Sequence, residues 1–393
     1  MIPPRPVSRS AETRYSDLRA GVQQLCERFP GEYWRELDRQ RRYPETFVQA
    51  VTGAGYLGAL VPAQYGGLGM GVSEASVIVE EINRSGGNSA PVHAQMYIMA
   101  AVLRHGSDNQ KEQYLPGIAS GKLRLQAFAV TEPSAGSDST RTQTTAVHHN
   151  GSFVVNGQKV FTSRAQYSDL LLLLARTTPR DEAGGKSSGL SLFLIDIRDC
   201  DASRLTIKPL DTMVNHHTNE LFFDDLEIPE QSLVGNEGDG FRYLLDTLNA
   251  ERILIAAECI GDGRWFVDRA TAYARDRSVF GQPIGRNQGI QFPIARAHVA
   301  TEAADLMRWR AAQLFDEGEP CGGEANMAKL LAADASWEAA NVAVQTLGGY
   351  GFATEYDVER KFRETRLYQV APISTNLILS YIGEHILRLP RSY

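Results

Sequence analysis

The 393-residue sequence predicts a mainly α-helical protein with a β-domain in the middle of the chain. Apolar residues recur at three- and four-residue intervals in the first third, as they do on the buried face of a helix. Short β-prone runs follow, and then long segments rich in Ala and Leu and nearly free of Pro. These changes of pattern predict an N-terminal helical domain, a middle β-domain and a C-terminal helical domain, over residues 1–124, 125–235 and 236–393.

The N-terminal helices are predicted from amphipathic spacing and from the residues that interrupt it. Pro62 and the glycines at 66, 67 and 69 mark a loop between two groups of helical segments. Gly106 and Ser107 separate the last two segments. Helices are therefore expected over residues 35–54, 72–83, 95–105 and 110–119.

The middle domain is predicted from short runs of β-prone residues. Asn156-Gly157 lies between two such runs, residues 153–155 and 159–161. An Asn-Gly pair favours a two-residue hairpin turn because both turn residues take a positive φ. We therefore predict a hairpin centred on this pair. Further strands are expected over residues 170–174, 190–195 and 220–223, with an exposed polar loop at 177–189.

The C-terminal third is predicted to be a bundle of four helices. Its long Ala- and Leu-rich segments are joined by short connections, such as the turn at residues 317–320. Long helices with short connections are typical of a four-helix bundle. The predicted helices cover residues 241–274, 288–315, 324–345 and 374–387.

Composition disfavours several classes of protein. The formal net charge of −7 offers no basic excess for nucleic acid or an anionic membrane. The four cysteines are far apart and form no C-x-x-C pair, which disfavours a metal site or a disulfide framework. No apolar segment of the signal-peptide type follows the first residues, and the densest apolar run, residues 170–175, is too short to span a bilayer. We therefore expect a cytoplasmic protein with no metal, nucleic-acid or membrane partner.

One carboxylate interrupts an apolar helix face. The stripe on the predicted helix from Phe241 continues through Leu244, Leu248 and Ile255, and Glu251 falls within it. A carboxylate that faces a core is usually paired or used, because burying its charge is costly. Two interpretations stay open at this point. Glu251 is either part of a buried ion pair with an Arg on another helix or a general base whose pKa is raised toward neutrality by its apolar setting.

Two segments of small residues and two pairs of histidines are weaker indications of a functional site. Residues 131–138 and 345–351 are rich in small residues that can present backbone N–H groups to a phosphate, but turns and helix ends share this composition. Neither segment is a G-x-G-x-x-G motif or a P-loop. The histidine pairs at 148–149 and 216–217 are interpreted as surface or hydrogen-bonding groups, although His217 can line a pocket if its loop folds over a substrate.

Four motifs together resemble one flavoenzyme family: AVTEPSAGSD (129–138), NGQKVFTS (156–163), RDRSVFGQPIGRNQGIQF (275–292) and QTLGGYGFATEY (345–356). Through them the sequence resembles the acyl-CoA dehydrogenase family from about residue 35 to residue 389. The resemblance implies the family's α-β-α fold, non-covalent FAD, and α,β-dehydrogenation of an acyl-CoA thioester to the trans-2-enoyl-CoA in fatty acid metabolism. It also implies an electron-transfer flavoprotein as acceptor, and a homotetramer or alternatively a homodimer.

The resemblance implies a set of cofactor contacts. The matching positions are Phe128, Val130, Thr131, Gly136, Ser137, Phe161, Ser163, Arg277, Phe280, Gln288, Gln345, Gly348, Gly349, Ser374 and Asn376. Those from Arg277 to Gly349 match residues that hold the adenosine and pyrophosphate across a subunit interface. Ser137 is also implied as a contact of the substrate's pantetheine arm. Phe161 and Ser163 stand where the family usually has Trp and Thr beside the flavin ring.

The chain departs from the family pattern at the usual catalytic position. Many members carry a catalytic Glu where this sequence has Pro372, which can neither accept a proton nor donate from its backbone nitrogen. The isovaleryl- and long-chain-specific branches instead carry their Glu in a Leu-x-x-Glu-Arg context, as at residues 248–252 here. The resemblance therefore implies Glu251 as general base, FAD N5 as hydride acceptor, and Asn249 and Arg252 as substrate contacts. The thioester oxygen is then polarised either by the Ile373 N–H or by a ribityl hydroxyl of the flavin.

Two alternative functions remain compatible with the sequence. A flavin-dependent monooxygenase or oxidase on the same fold also lacks the C-terminal Glu, but has no reason to keep a carboxylate at Glu251. A non-catalytic flavin-binding subunit would bind FAD without reacting with thioesters. The length or branching of the acyl chain, the electron acceptor and the pathway are not specified by the sequence.

Overall fold

The computed structural model describes residues 15–391, and its first part is helical as predicted. The predicted helix over residues 35–54 is two helices, because Arg41 takes a left-handed φ of 54° and Pro44 follows shortly after it. The N-terminal helices are α1 (Ser16–Cys26), α2 (Gly31–Gln40), α3 (Glu45–Gly53), α4 (Val72–Arg84), α5 (Ala90–His105) and α6 (Asp108–Ala119).

The middle part is a sheet of eight strands. Seven of them lie in the order β6-β7-β3-β2-β4-β5-β8, and β1 pairs with β4 in parallel. One face of the sheet packs around Phe153, Phe193 and Leu221. The strands are β1 (Ala127–Ala129), β2 (Thr145–His149), β3 (Ser152–Ser163), β4 (Leu170–Arg176), β5 (Leu190–Asp196), β6 (Leu205–Pro209), β7 (Thr218–Pro229) and β8 (Leu233–Val234).

The hairpin predicted at Asn156-Gly157 is wrong. Strand β3 runs straight through this pair, and the pairing with β7 shifts register there. The hairpin turn lies instead between β2 and β3, at Asn150 (φ 49°) and Gly151 (φ 84°). Gly157 of the pair Asn156-Gly157 has a different structural role. A Cβ at this position would lie 2.6–2.8 Å from atoms of Thr144. Glycine is needed there for close approach of two backbones rather than for a turn.

The last part of the chain is again helical. Its three long helices pack against one another, and a two-stranded ribbon of β9 (Ser278–Val279) and β10 (Gln282–Pro283) joins the first two. The fourth predicted helix, over residues 374–387, is α-helical from Thr375 to Tyr381 and continues as a π-helical turn, Ile382–Ile386. The helices are α7 (Gly240–Asp276), α8 (Gln288–Asp316), α9 (Gly322–Leu347), α10 (Val358–Arg366) and α11 (Thr375–Tyr381).

This element order confirms the predicted fold class, which is mainly α with a middle β-domain and C-terminal helices. The division at residues 124/125 and 235/236 stays a prediction. No helix between residues 15 and 391 combines the length and the apolar character that crossing a bilayer requires.

A buried ion network fixes α7 relative to its neighbours. Glu80 on α4 accepts hydrogen bonds at 2.9 Å from Arg19 on α1 and from Arg308 on α8, and it also pairs with Arg264 on α7. Burial alone would raise the pKa of Glu80, but the three guanidinium charges lower it to about 2. Four helices are therefore tied together at one carboxylate.

Candidate active site

Glu251 lies about three turns from the N-terminal end of α7, where that helix is buried on most sides. Only 5% of the residue is exposed, and the residues that flank it, Ala250 and Arg252, are buried as well. Positive charges act on Glu251 from His93, Arg252 and Lys329, but within residues 15–391 none of them forms an ion pair with its carboxylate. The structure therefore does not contain the buried ion pair that was the first interpretation of this residue.

The environment of Glu251 favours its protonated form. Burial raises its pKa from 4.5 to about 7, and the nearby positive charges and the Tyr97 hydroxyl only partly oppose the effect. A carboxylate with this pKa is half ionised near neutral pH. It can therefore accept a proton and release it again under physiological conditions.

Helix α5 lies alongside Glu251 with two aromatic side chains. The Tyr97 hydroxyl lies close enough to the carboxylate to act on its pKa, and burial raises the pKa of the hydroxyl itself well above the usual value. The His93 ring stacks on Tyr97 with 5.3 Å between ring centroids. His93 Nδ1 lies 3.2 Å from Oε1 of Glu258, two turns along α7 from Glu251. Helices α5 and α7 thus carry a row of polar side chains within an apolar interface. This polar row consists of Glu251, Tyr97, His93 and Glu258.

Glu258 is as deeply buried as Glu251 but is shifted in the opposite direction. Burial would raise its pKa, but the charge of His93 and hydrogen bonds from His93 and Ser89 outweigh burial and lower it. Glu258 is therefore held as a paired carboxylate. Burial also raises the pKa of Asp262, the third buried carboxylate of α7, to about 7, but Asp262 pairs with Lys361. Of the three, only Glu251 combines a raised pKa with the lack of an ion-pair partner among the described residues.

The predicted flavin-ring residues lie next to this row, at the edge of the sheet. The Phe128 ring on β1 is 6.3 Å from the Tyr97 ring, between centroids. After β1, Val130 O accepts a hydrogen bond from Lys159 Nζ at 2.9 Å, and Thr131 O accepts one from Val160 N at 2.9 Å. The segment after β1 is thereby fixed against β3, which carries Phe161 and Ser163.

The remaining predicted ring-side residues differ in exposure. Phe161 is 61% exposed, with a φ of 57°, and Ser163 ends β3 partly buried. Gly136 and Ser137 lie in an exposed loop. Ser374 caps α11 through its hydroxyl, which accepts from Leu377 N at 3.4 Å and keeps its own O–H to donate elsewhere.

The residues predicted to hold the dinucleotide phosphates line an open cleft of about 530 Å³. Arg277 follows the end of α7, and Gly348 and Gly349 follow the end of α9, so the cleft lies where two helices end. A Cβ placed on either glycine would meet no atom within 4 Å, which leaves the backbone open to a ligand. A guanidinium and bare backbone that line one cleft suit a pyrophosphate, and these residues fit an FAD phosphate site.

Other residues from the same prediction do not line this cleft. Phe280 is fully exposed, Gln288 begins α8 at the surface, and Gln345 is exposed near the end of α9. Asn376 is exposed on α11. The chain by itself brings Arg277, Gly348 and Gly349 together, and leaves the others pointing outward.

Comparison with known families agrees with this arrangement. The acyl-CoA dehydrogenase N-terminal, middle and C-terminal domain models match residues 13–122, 127–226 and 238–387. The chain belongs to the acyl-CoA dehydrogenase family. It is therefore an oxidoreductase that acts on acyl-CoA.

Individual relatives match along almost the whole chain. The acyl-CoA dehydrogenase fadE12 of Mycobacterium bovis is 35% identical over 379 residues, which cover 96% of each protein. A glutaryl-coenzyme A dehydrogenase solved with glutaryl-CoA has a TM-score of 0.89 at 30% identity, covering 99% of this chain and 98% of that one. A structure described as electron transferring flavoprotein of Acidaminococcus fermentans has a TM-score of 0.90 at 29% identity, covering 98% and 100%.

The two predicted substrate contacts, Asn249 and Arg252, are bonded to each other. Arg252 Nη1 donates to Asn249 Oδ1 at 2.9 Å, one helical turn away on α7. Burial lowers the pKa of Arg252, and the charge of Glu251 partly restores it. Their role in binding substrate stays a prediction, as does the role of Glu251 as base.

The segment that contains Pro372 is held in place by Lys329 on α9. Lys329 Nζ donates to Tyr368 O at 2.6 Å and to Ile373 O at 2.9 Å. These two bonds hold both ends of the loop that carries the catalytic Glu in many other acyl-CoA dehydrogenases. The loop is ordered although its usual catalytic residue is replaced by proline.

Sequence reasoning missed several polar residues of this region. His93 and Tyr97 do not stand out in the sequence. Their helix, α5, is apolar around most of its circumference, so no polar face marks them. Arg164 directly follows the motif NGQKVFTS, and this position is the feature of the sequence that points to it. His216 and His217 line a cavity together with Arg164, so the alternative that His217 lines a pocket describes them better than a surface position.

Proposed function

We propose that the protein is an FAD-dependent acyl-CoA dehydrogenase that uses Glu251 as its general base. The observation that carries the proposal is a buried carboxylate with a pKa of about 7 and no ion-pair partner among the described residues. A structural carboxylate would be paired, as Glu80 and Glu258 are. A base needs the opposite environment, which leaves the carboxylate ready to take a proton.

Each group of the site would have its own role in the reaction. Glu251 takes the α-proton of the acyl thioester onto a carboxylate oxygen, while the Tyr97 hydroxyl restricts the orientation of that carboxylate. Bound FAD would supply the acceptor for the β-hydrogen and its electron pair. Loss of the proton and the hydride leaves the trans-2-enoyl thioester. Buried apolar residues of α7 near Glu251, such as Leu254 and Ile255, would exclude water from the proton-transfer step.

The cofactor would be held at two places. Arg277 would face the phosphates, with Gly348 and Gly349 offering backbone at close range. The segment from Phe128 to Thr131 would lie along the flavin ring, at the edge of the sheet nearest Tyr97. We also propose that the Ile373 N–H, adjoining Pro372, polarises the thioester oxygen.

The partners of this reaction are proposed from the family and the surface. An electron-transfer flavoprotein would reoxidise the cofactor, in keeping with the description of one of the similar structures. The chain would assemble as a homotetramer in the cytoplasm. Assembly would bring the exposed Phe280, Gln288 and Gln345 of one subunit toward the cofactor of another.

The test is anaerobic mixing of the purified yellow holoprotein with straight, branched and aromatic acyl-CoA thioesters. We expect at least one thioester to bleach the flavin and to yield one enoyl-CoA for each flavin reduced. Absence of bleaching with every thioester would refute the proposal. Rapid recolouring in air after bleaching would point to an oxidase, and bound but unreactive flavin to a non-catalytic subunit.

A further inference from the structure

A buried ion pair joins two of the sequence motifs through residues that the proposed function does not use. Lys159 belongs to NGQKVFTS and Glu132 to AVTEPSAGSD, and Lys159 Nζ lies 2.8 Å from Oε1 of Glu132. Lys159 is fully buried and Glu132 is 4% exposed. Burial lowers the pKa of Lys159 to about 8 although Glu132 opposes the effect. A buried pair is weak evidence for a role in stability, so a different role has to be sought.

The carboxylate of the pair is fixed by the backbone around it. Glu132 Oε2 accepts a hydrogen bond from Gln143 N at 2.7 Å, and its Oε1 accepts one from Thr144 N at 2.9 Å. Burial would raise the pKa of Glu132, but the charge of Lys159 and the hydrogen bonds outweigh burial and lower it. Glu132 is therefore a fixed anion that determines where the Lys159 ammonium lies.

The Lys159 ammonium sets the orientation of one peptide group after β1. Its Nζ donates to Val130 O at 2.9 Å. In a trans peptide the carbonyl and the following N–H point in opposite directions, so the Thr131 N–H is directed away from the ammonium. Within residues 15–391 neither this N–H nor the Thr131 hydroxyl has a hydrogen-bond partner, and Thr131 is only partly buried. Both donors of Thr131 are therefore left to a ligand.

A bulge in β3 holds the same segment one residue further along. Between the pairs that Lys159 and Thr162 form with β7, β3 has two residues where β7 has one. Bulges of this kind are frequent next to functional sites, where they redirect the chain. Val160 N, within the bulge, donates to Thr131 O at 2.9 Å. The carbonyls of Val130 and Thr131 are thus both bonded by β3, one through a side chain and one through the backbone.

We propose that Lys159, neutralised by Glu132, is a positioning residue for FAD that acts through the peptide group between Val130 and Thr131. This inference rests on the proposed function, because that function places the flavin ring along this segment. The ammonium fixes the Val130 carbonyl, and the Thr131 N–H of the same peptide group donates to the ring. A charge at the carbonyl polarises the peptide group, which makes this N–H a stronger donor.

A stronger donor at the ring has two measurable effects. It strengthens the binding of FAD, and it stabilises reduced flavin more than oxidised flavin, because reduction adds negative charge to the ring. Hydrogen bonds to ring atoms are among the means by which a protein tunes the electronics of a cofactor. Lys159 is therefore expected to lower the Kd for FAD and to raise the midpoint potential of the bound flavin.

Two matched variants separate this role from a general role in folding. Lys159→Met removes the ammonium and keeps most of the side-chain volume. Lys361→Met is the control, because Lys361 on α10 is also fully buried, pairs with Asp262 at 2.5 Å and donates to Gly87 O at 2.8 Å. We expect both variants to lower Tm, since each leaves a buried carboxylate without its ammonium. Only Lys159→Met should affect the flavin.

Two measurements on the holoproteins follow the flavin. Serial dilution, with flavin fluorescence as the signal of released FAD, gives Kd, and an anaerobic redox titration gives the midpoint potential. We expect Lys159→Met to raise Kd at least about tenfold, as the loss of a charge-assisted hydrogen bond would, and to make the potential more negative. Lys361→Met should match the wild type in both. Wild-type values for Lys159→Met, or equal shifts in the two variants, would overturn the inference.

A second variant keeps the inference testable if Lys159→Met fails to fold. Lys159→Gln leaves a polar but uncharged side chain beside Glu132, and we expect the same negative shift because a neutral amide polarises a carbonyl less than an ammonium does. A wild-type potential would overturn the inference. Both measurements need only bound flavin, so a holoprotein that reacts with no thioester would refute the proposed function, whereas unchanged flavin properties would refute this inference alone.

Discussion

At the scale of single residues, the site is organised by two buried carboxylates on one helix. Glu251 and Glu258 lie on α7 two turns apart, and burial opposes ionisation of both. His93 and Ser89 reverse the effect at Glu258, whereas no partner among the described residues does so at Glu251. Groups with similar burial but opposite pKa shifts are a recognised sign of divided roles in catalysis.

The raised pKa of Glu251 predicts the pH dependence of flavin reduction. The base must be ionised to accept a proton, so the rate should rise with pH up to about 7 and level off above it. Stopped-flow reduction under anaerobic conditions, between pH 5.5 and 8.5, measures this profile. A rate that is flat over this range would show that no group with the pKa of Glu251 limits the proton transfer.

Residues of the site differ in how well the sequence predicts them. Glu251 was predictable because a carboxylate within an apolar stripe breaks a local pattern. His93, Tyr97 and Arg164 break no local pattern, and their roles arise only when α5, the sheet and α7 come together. Such tertiary proximity has no signature in a single sequence without a family motif that covers the position.

At the scale of elements, the two Asn-Gly pairs show how a local motif can be assigned to the wrong structure. Asn150-Gly151 forms the hairpin turn, with both residues at positive φ. Asn156 instead bonds Asp225 across the sheet, with Nδ2 at 2.9 Å from Oδ1, while Gly157 permits close packing on Thr144. The two dipeptides have the same sequence, Asn-Gly. Only the strands that pair with each of them decide which one forms the turn.

This difference predicts unequal costs of adding a methyl group to the two glycines. Gly151→Ala meets no neighbouring atom and should cost about 1 kcal/mol of unfolding free energy, for the left-handed backbone alone. Gly157→Ala adds a steric clash with Thr144, so it should cost at least about twice as much. Denaturant unfolding of the two variants measures both, and equal costs would contradict the role given to Gly157.

The helix ends around the open cleft predict where the cofactor's phosphates are held. Arg277→Ala should weaken FAD binding by about tenfold or more, because the guanidinium that lines the cleft with the two glycines is lost. Arg275→Ala, two residues earlier and also exposed, removes the same charge outside the cleft and serves as the matched control. Fluorescence titration of the apoprotein with FAD should separate the variants, and equal affinities would exclude the cleft as phosphate site.

At the scale of the whole molecule, α8 carries an apolar stripe that this single chain leaves uncovered. Phe292, Val299 and Leu306 recur every seven residues, so they lie on one side of the helix, and all three are more than half exposed. Phe280, just before α8, is fully exposed. Apolar surface of this extent is typical of a subunit interface.

The stripe predicts the effect of a charge on assembly. Light scattering should give the wild-type protein about four times the mass of the 43.3 kDa chain. Val299→Glu should reduce this mass, because it places a charge within the stripe. Val147→Glu, at an exposed position on β2, should leave it unchanged. A mass that is the same for all three proteins would show that α8 lies outside the interface.

The order of helices and strands along the whole chain was largely predictable, because it follows from hydrophobic periodicity. Its details were less so: the break at Arg41–Pro44 and the π-helical turn that follows α11 depend on local backbone geometry. The pairing of β1 with β4 joins segments more than forty residues apart, and periodicity carries no information about such contacts.

The most direct test of the account compares wild type, Glu251→Gln and Glu338→Gln in anaerobic mixing with the best acyl-CoA substrate. Glu338 is exposed on α9 and controls for the loss of a carboxylate elsewhere. We predict bleaching of wild type and Glu338→Gln, and a rate at least about 1,000-fold lower for Glu251→Gln with its FAD retained. Bleaching of Glu251→Gln at the wild-type rate would show that another group takes the proton.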